Sequence, residues 1–171
     1  MKLGPDFFQR DCLEVGPDLV GKILVRRLPD GNEIRLRITE TECYRGEEDT
    51  ACHARFGRTK RASVLYRESG TIYVYLCYGI NWLLNIVTGE VDLPQAVLIR
   101  ACEGFPGPGR LTKRLEIDGQ FNEICINSCP DFWIEDDGQR FLIIPDKRVG
   151  IDYASEEDRN RLWRFKAGKR L

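Results

Sequence analysis

The chain has 171 residues, 42% hydrophobic, 31% charged and 10% aromatic, which is the composition of an ordinary globular protein and the length of one domain, expected over 1–171. Twenty-six Lys and Arg nearly cancel 27 Asp and Glu, so bulk charge neither demands nor excludes a polyanionic partner, and any nucleic-acid surface must be a local patch. Seven cysteines at 12, 43, 52, 77, 102, 125 and 129 are an odd number without repeated spacing, and His53 is the only histidine. That pattern predicts reduced thiols and no metal. Without a leader-like N-terminus or an apolar stretch of about 18 residues, the expectation is a cytoplasmic chain with no membrane contact.

Gly16-Pro17-Asp18-Leu19-Val20-Gly21 predicts a short helix opening on proline, followed by a strand over Lys22 to Leu28 and a turn at Asp30-Gly31-Asn32. A second strand is expected from Glu33 to about Tyr44. A third and fourth follow over Thr71 to Tyr78 and Trp82 to Thr88, and a fifth over Gln95 to Cys102, all rich in Ile, Val, Leu, Tyr and Thr. Arg110 to Ile117 has helical spacing. Trp133-Ile134 and Arg140 to Ile144 flank an Asp-Asp-Gly turn, and Glu156 to Arg164 reads as a terminal helix. The expected class is α+β, with a mainly antiparallel, curved or partly closed sheet and short flanking helices.

Along the second strand the even positions are Ile34, Leu36, Ile38, Glu40, Glu42 and Tyr44, so one face changes from apolar to acidic. Carboxylates continuing a core-facing stripe point to the edge of a pocket, where burial raises a carboxyl pKa. A frayed strand end with solvated glutamates fits the same alternation equally well. In the third strand Tyr73 and Tyr75 share one face and Ile72, Val74, Leu76 and Tyr78 the other. Flat tyrosine rings suit base stacking as well as packing, and Tyr78, against Gly79, is where a turn would push an aromatic outwards. Arg55, Arg58, Lys60, Arg61 and Arg67 form a basic stretch that reads either as a phosphate-tracking edge or as a solvated loop. Asn85 and Arg100 interrupt apolar strands and need partners, and Arg100 could pair with Glu42 across one site. Gly107-Pro-Gly-Arg-Leu-Thr-Lys113 lacks phosphate-loop spacing and reads as a turn into a helix whose first amides could meet a phosphate.

Taken in order, Thr39-Glu-Thr-Glu-Cys-Tyr44, Glu48-Asp49 with His53, Gly70-Thr-Ile-Tyr-Val-Tyr-Leu-Cys-Tyr-Gly79, Asn85 and Leu98-Ile-Arg100 closely resemble the alkyladenine (3-methyladenine) DNA glycosylase family. The likeness continues through residues 107–113, Arg148-Val-Gly-Ile151 and Trp163-Arg-Phe165, nearly the whole chain. It implies a monomeric enzyme that hydrolyses the N-glycosidic bond of damaged purines in double-stranded DNA without metal or cofactor, leaving an abasic site and no nick. It implies that Glu42 activates the attacking water with help from Arg100, that Tyr44, His53 and Tyr75 enclose the flipped base, that Asn85 screens against guanine, and that Tyr78 fills the vacated stack.

The chemistry of base extrusion agrees with those roles, since a purine inside a duplex must leave the stack before its glycosidic bond can be reached. Glu40 and Glu42 would be roughly 7 Å apart at the rise of a strand, within the carboxylate window of inverting glycosidases. The resemblance assigns the chemistry to Glu42 and leaves Glu40 structural. Three departures stand out: Cys52 before His53, Lys60-Arg-Ala-Ser-Val-Leu-Tyr66 in place of a loop that usually carries Asn, Gly and Met, and Leu162 where a proline is common. Two other classes fit parts of the pattern. A non-catalytic damaged-base or nucleic-acid binding module would keep the aromatics, but Glu42 and Arg100 argue for turnover. A nucleoside hydrolase would need an Asp-rich calcium site and leaves Tyr78 without a purpose.

Overall fold

A computed structural model describes residues 1–171. In chain order it contains α1 (Pro5–Phe8), α2 (Cys12–Leu19), β1 (Ile23–Arg27), β2 (Glu33–Arg45), β3 (Ile72–Cys77), β4 (Asn81–Val87), β5 (Gln95–Cys102), β6 (Phe105–Pro106), α3 (Pro108–Leu115), β7 (Phe132–Glu135), β8 (Phe141–Asp146), α4 (Glu156–Asn160) and β9 (Arg164–Arg170). The strands form one curled antiparallel sheet in the order β3-β4-β5-β2-β1-β7, with β6 on β5, β9 on β2 and β8 on β9. The α+β class expected from the sequence is therefore the fold.

The central strand β2 explains the curl. Its first half pairs with β1, from Ile23 opposite Arg37 to Arg27 opposite Glu33, and its second half pairs with β5 on one side and β9 on the other. Between these halves the β2–β5 register shifts twice, so that Thr39 on β2 and Arg100 on β5 each lack a partner. Such paired bulges bend the strands and increase their twist. They also reverse which residues face the main core. Before the bulge the core takes Ile34, Leu36 and Ile38; after it the same core takes Cys43 with Val97 and Ile99 of β5.

The main core lies between this sheet, α2 and α3, with Leu19, Leu24, Ile38, Leu84, Ile86, Ile99, Leu111 and Phe132 fully buried. Helix α2 lies close to β2 because of Gly16: a Cβ there would sit 2.5 Å from the Cys43 sulfur, and the Gly16 carbonyl accepts a hydrogen bond from Thr41 Oγ1 at 2.8 Å. A second cluster, Val64, Leu65, Tyr66, Tyr73, Val87 and Ala96 with Cys52 and Ala54, packs on the opposite face of the sheet and builds the site.

Two local expectations need correction. The first main helix does not open at Gly16. It runs Cys12–Leu19, is capped by Asp11, whose Oδ1 accepts from the Leu13 amide at 2.9 Å, and carries Pro17 in its last turn, where the chain is already leaving the helix. The helix expected over Glu156 to Arg164 stops at Asn160, and Arg164–Arg170 is strand β9, held by β2 and β8. The segments flanking the Asp-Asp-Gly turn are strands β7 and β8, of which β7 joins β1 and β8 joins β9.

Candidate active site

The bulge places the site. Past it, Glu42 and Tyr44 leave the face of Ile34, Leu36 and Ile38, so the acidic positions are not a continuation of the core stripe; they lie on the other side of the sheet. There they join a row across four strands: Tyr73 opposite Asn85, Asn85 opposite Leu98, Leu98 opposite Glu42. Neighbouring strands are about 4.8 Å apart, so Asn85 and Glu42 flank a width of roughly 10 Å. Over this row opens a cavity of about 600 Å³, lined among others by Tyr44, His53, Tyr75, Asn85, Arg100 and Tyr78. That volume is typical of small-molecule sites. All six of these expected residues are thus brought together.

Glu42 itself is fully buried and lies behind the wall. Its Oε1 accepts from Tyr44 Oη at 3.0 Å and Arg100 Nη1 at 3.3 Å, and its Oε2 accepts from the Val149 amide at 2.6 Å. Each of those three donors lines the cavity. Burial raises the Glu42 carboxyl above the ordinary range, opposed first by the Arg100 charge and then by the Val149 amide, the Tyr44 hydroxyl and Arg148. The Arg100 contact is longer than the 2.7–2.9 Å usual for a charged pair. Glu40, on the same strand, does not reach the cavity. Its carboxylate pairs with Arg164 at 3.3 Å and is part of a surface network with Asp146 and Lys166.

The aromatic wall is built from β3 and the turn at His53–Phe56. His53 Nδ1 shares a hydrogen bond of 2.7 Å with Tyr73 Oη, and the His53 and Tyr75 rings meet edge-on at 4.7 Å. Burial and the nearby Arg61 and Arg55 charges lower the His53 pKa to about 4, so the ring is neutral near pH 7. Arg61 stacks on Tyr75 with 4.7 Å from guanidinium to ring. Asn85 Nδ2 donates to the Tyr73 carbonyl at 3.1 Å, which fixes its amide and leaves the side-chain oxygen for the cavity. The basic stretch is partly neutralised: Arg58 pairs with Asp92 and Arg67 with Glu123, while Arg55 stacks on Phe56 and Tyr153.

Tyr78 does not stay in the alternation of β3. It has a φ of 51° and is followed by Gly79 at 67°, so the β3–β4 turn runs left-handed and throws the ring out at the cavity rim, 93% exposed beside an exposed Ile80. A left-handed backbone is an uncommon choice for a bulky aromatic.

Several site residues had no role in the sequence reading. Val149 supplies a backbone donor to Glu42, and Arg148 beside it is fully buried with Asp49, its Nη1 donating to Asp49 Oδ2 at 2.7 Å and its Nη2 to Oδ1 at 2.9 Å. Tyr153 lines the cavity and donates to the Ala51 carbonyl at 2.7 Å. A backbone donor leaves no side-chain signal, and Arg148-Val-Gly-Ile151 stands in the sequence only as a stretch of family likeness that gives Arg148 no role. No group of three or more His, Cys, Asp or Glu side chains is arranged to hold a metal ion, all seven cysteines are free, and no helix is long and apolar enough to cross a membrane.

Comparison with known proteins gives the family of the chain as a whole. The sequence profile described as methylpurine-DNA glycosylase matches residues 6–106 and 104–170. A protein of Natranaerobius thermophilus with the name "Putative 3-methyladenine DNA glycosylase" is 41% identical over 189 residues, covering 96% of this chain and 94% of the relative. Proteins of the same name from Borreliella burgdorferi (strain ZS7) and Methanocella arvoryzae are each 41% identical, covering 93% and 94% of this chain and 92% and 89% of their own. On the strength of a profile match along almost its entire length and of relatives at this identity, the chain belongs to the methylpurine-DNA glycosylase family of DNA-repair hydrolases.

Proposed function

We propose that the protein acts as a monomer, one domain over 1–171, and removes damaged purines from double-stranded DNA by a monofunctional, water-dependent cleavage of the N-glycosidic bond. The observation that carries this reading is the buried Glu42 carboxylate, held by Arg100, Tyr44 and Val149 behind an aromatic cavity of base-sized width. The extruded nucleotide places its base between Tyr44, His53 and Tyr75, while Tyr78 enters the duplex in its place. A water held by Arg100 on the cavity side of Oε1 gives its proton to Glu42 as its oxygen bonds to the sugar C1′. The C1′–N bond breaks and its electron pair leaves with the base. Departure develops positive charge on the sugar, which the same carboxylate stabilises.

A cationic alkylated base leaves as a neutral molecule and needs no general acid. Asn85, which lines the cavity and is fixed by its bond to Tyr73, serves as the screen against the exocyclic amine of guanine. No lysine lines the cavity, so no amine is at hand for a Schiff base with the sugar, and the backbone stays intact at the abasic site. The setting is DNA-associated and cytoplasmic, or nuclear in a eukaryote.

The test is release of free 3-methyladenine from alkylated duplex DNA by the purified protein in the presence of EDTA. Release with intact strands is expected. Tight, lesion-selective binding without release would sink the catalytic reading and leave a damaged-base binding module.

A further inference from the structure

We propose that Arg148 is a positioning residue for Glu42: with Asp49 it holds the Val149 amide against the carboxylate and backs the ring of Tyr44, and so sets the geometry of the water-activating group. The inference rests on the glycosylase reading of Glu42 for its effect on rate, though not for its effect on the carboxylate itself.

Arg148 and Asp49 have fully buried side chains and meet in a two-pronged pair. The same guanidinium donates to the Cys43 carbonyl at 2.9 Å and to the Asp158 carbonyl at 3.4 Å, so it ties β2, the 46–50 turn and α4 to one point. It is sandwiched between Tyr44 and Trp163, 5.0 Å from each ring. Asp49 in turn accepts from the Arg45 and Ala51 amides at 2.9 and 3.1 Å. Cys43 and Tyr44 flank the pair on β2, and Val149, next in the chain after Arg148, donates to Glu42 Oε2 at 2.6 Å. The one backbone donor to the Glu42 carboxylate, the Val149 amide, is therefore next in the chain to the point where Arg148 is fixed.

Energetics point away from a purely stabilising role. A buried ion pair gains little over a well-packed apolar pair of similar volume, and here Arg148 Nε has no partner at all, a further desolvation loss. The planar fork, by contrast, defines direction, and Lys or an apolar side chain cannot reproduce it.

The charged and titratable groups facing Glu42 are Tyr44 on its own strand, Arg100 on β5, Arg148 from the segment before α4, and Arg164, its partner on β9, whose guanidinium is engaged by Glu40 and Asp146. Removing Arg148 removes one cation and frees the Val149 amide. In the variant that removes the Asp49 anion together with the Arg148 cation the two charges offset, and the loosened Val149 amide is what disfavours the charged carboxylate, so its titration moves to higher pH and the base form is lost sooner as pH falls.

The experiment uses the full chain with Arg148→Met/Asp49→Leu, which replaces the pair by apolar groups, and Arg148→Lys, which keeps the charge without the fork. Two readouts are taken: kcat and KM against pH on a duplex bearing a single 1,N6-ethenoadenine, and the Glu42 carboxyl titration by ¹³C NMR, assigned against Glu42→Gln. The double variant should melt near the parent temperature, lose about 10²-fold in kcat at little change in KM, and show its acid limb and Glu42 titration raised by about one pH unit. A folded double variant with the parent's kcat, limb and titration overturns the proposal. If the double variant does not fold, Arg148→Lys is judged by the same readouts, with a smaller loss of the same sign expected and none being the refutation. Should the parent release no base, the glycosylase reading fails while the NMR titration still decides the positioning.

Discussion

Replacing Glu42 by Gln is the most direct perturbation of the site, and its consequences can be worked out bond by bond. The side chain keeps its volume and one acceptor. If the amide oxygen stays at Oε1, facing Tyr44 Oη and Arg100 Nη1, the new NH2 meets the Val149 amide, donor against donor, where 2.6 Å now separates donor from acceptor. The flipped amide keeps the Val149 bond and lets Tyr44 Oη turn to accept from its NH2, but sets that NH2 against Arg100 Nη1. Either way one buried donor loses its partner, at about 1–3 kcal/mol. Against this stands the relief of a charge that burial already disfavours, as the raised carboxyl pKa records. The two effects are of similar size, so the melting temperature should move by only a few degrees in either direction.

Turnover has no such compensation. An amide cannot take the proton of water, which costs about 10² to 10⁴ in rate, and it no longer stabilises a cationic sugar. Single-turnover base release from a 1,N6-ethenoadenine duplex, followed by alkaline cleavage of the abasic strand, measures that loss, and binding to the same duplex should change little because stacking and phosphate contacts do not use the carboxylate. Glu40→Gln is the control: its side chain is part of the surface network with Arg164, outside the cavity, and should retain near-parental activity. A dead Glu40→Gln beside an active Glu42→Gln would refute the assignment of the base, and parental rates in both would refute the mechanism.

Tyr78→Ala, which removes a ring that is 93% exposed and so leaves the core untouched, should impair release from duplex more than from single-stranded DNA; equal losses would mean that no stack is being replaced. Asn85→Ser shortens a side chain fixed on Tyr73 and should raise the ratio of released guanine lesions to adenine lesions by chromatography, an unchanged ratio removing Asn85 from specificity. His53 has its folded pKa lowered from 6.5 to about 4, so between those values the unfolded chain binds the extra proton and stability falls as pH falls. The loss amounts to about 3 kcal/mol by pH 4, and urea titrations of His53→Gln should show a correspondingly flatter profile. An identical slope in parent and variant would show that His53 titrates normally in the folded chain.

Much of this molecule is readable from local pattern. Strands β1 to β5 fall within a residue or so of their β-rich composition; the first half of β2 alternates as a strand with one buried face does, while β4 and β5, buried on both faces, read as nearly continuous apolar runs. The turn at Asp30-Gly31-Asn32 follows from its residue types, and the ordered motifs around Glu42, His53, Tyr75, Asn85 and Arg100 identify the family. Where local signals competed, one was misread: Pro17 suggested a helix start, although Asp11 followed by Glu14 is the better N-terminal signature and Asp11 is the actual cap. What the tertiary structure alone decided depends on pairing between distant segments. Strand β9 exists because β2 and β8 hold Arg164–Arg170, whose own pattern is weak. The bulges at Thr39 and Arg100 arise between strands about sixty residues apart, and they reverse the face on which Glu42 stands, so period-two reading carried the stripe to the wrong side. The Val149 amide and the Arg148–Asp49 pair come from a chain segment some hundred residues beyond Glu42 and Asp49, and only folding brings a backbone donor and a buried cation to that carboxylate.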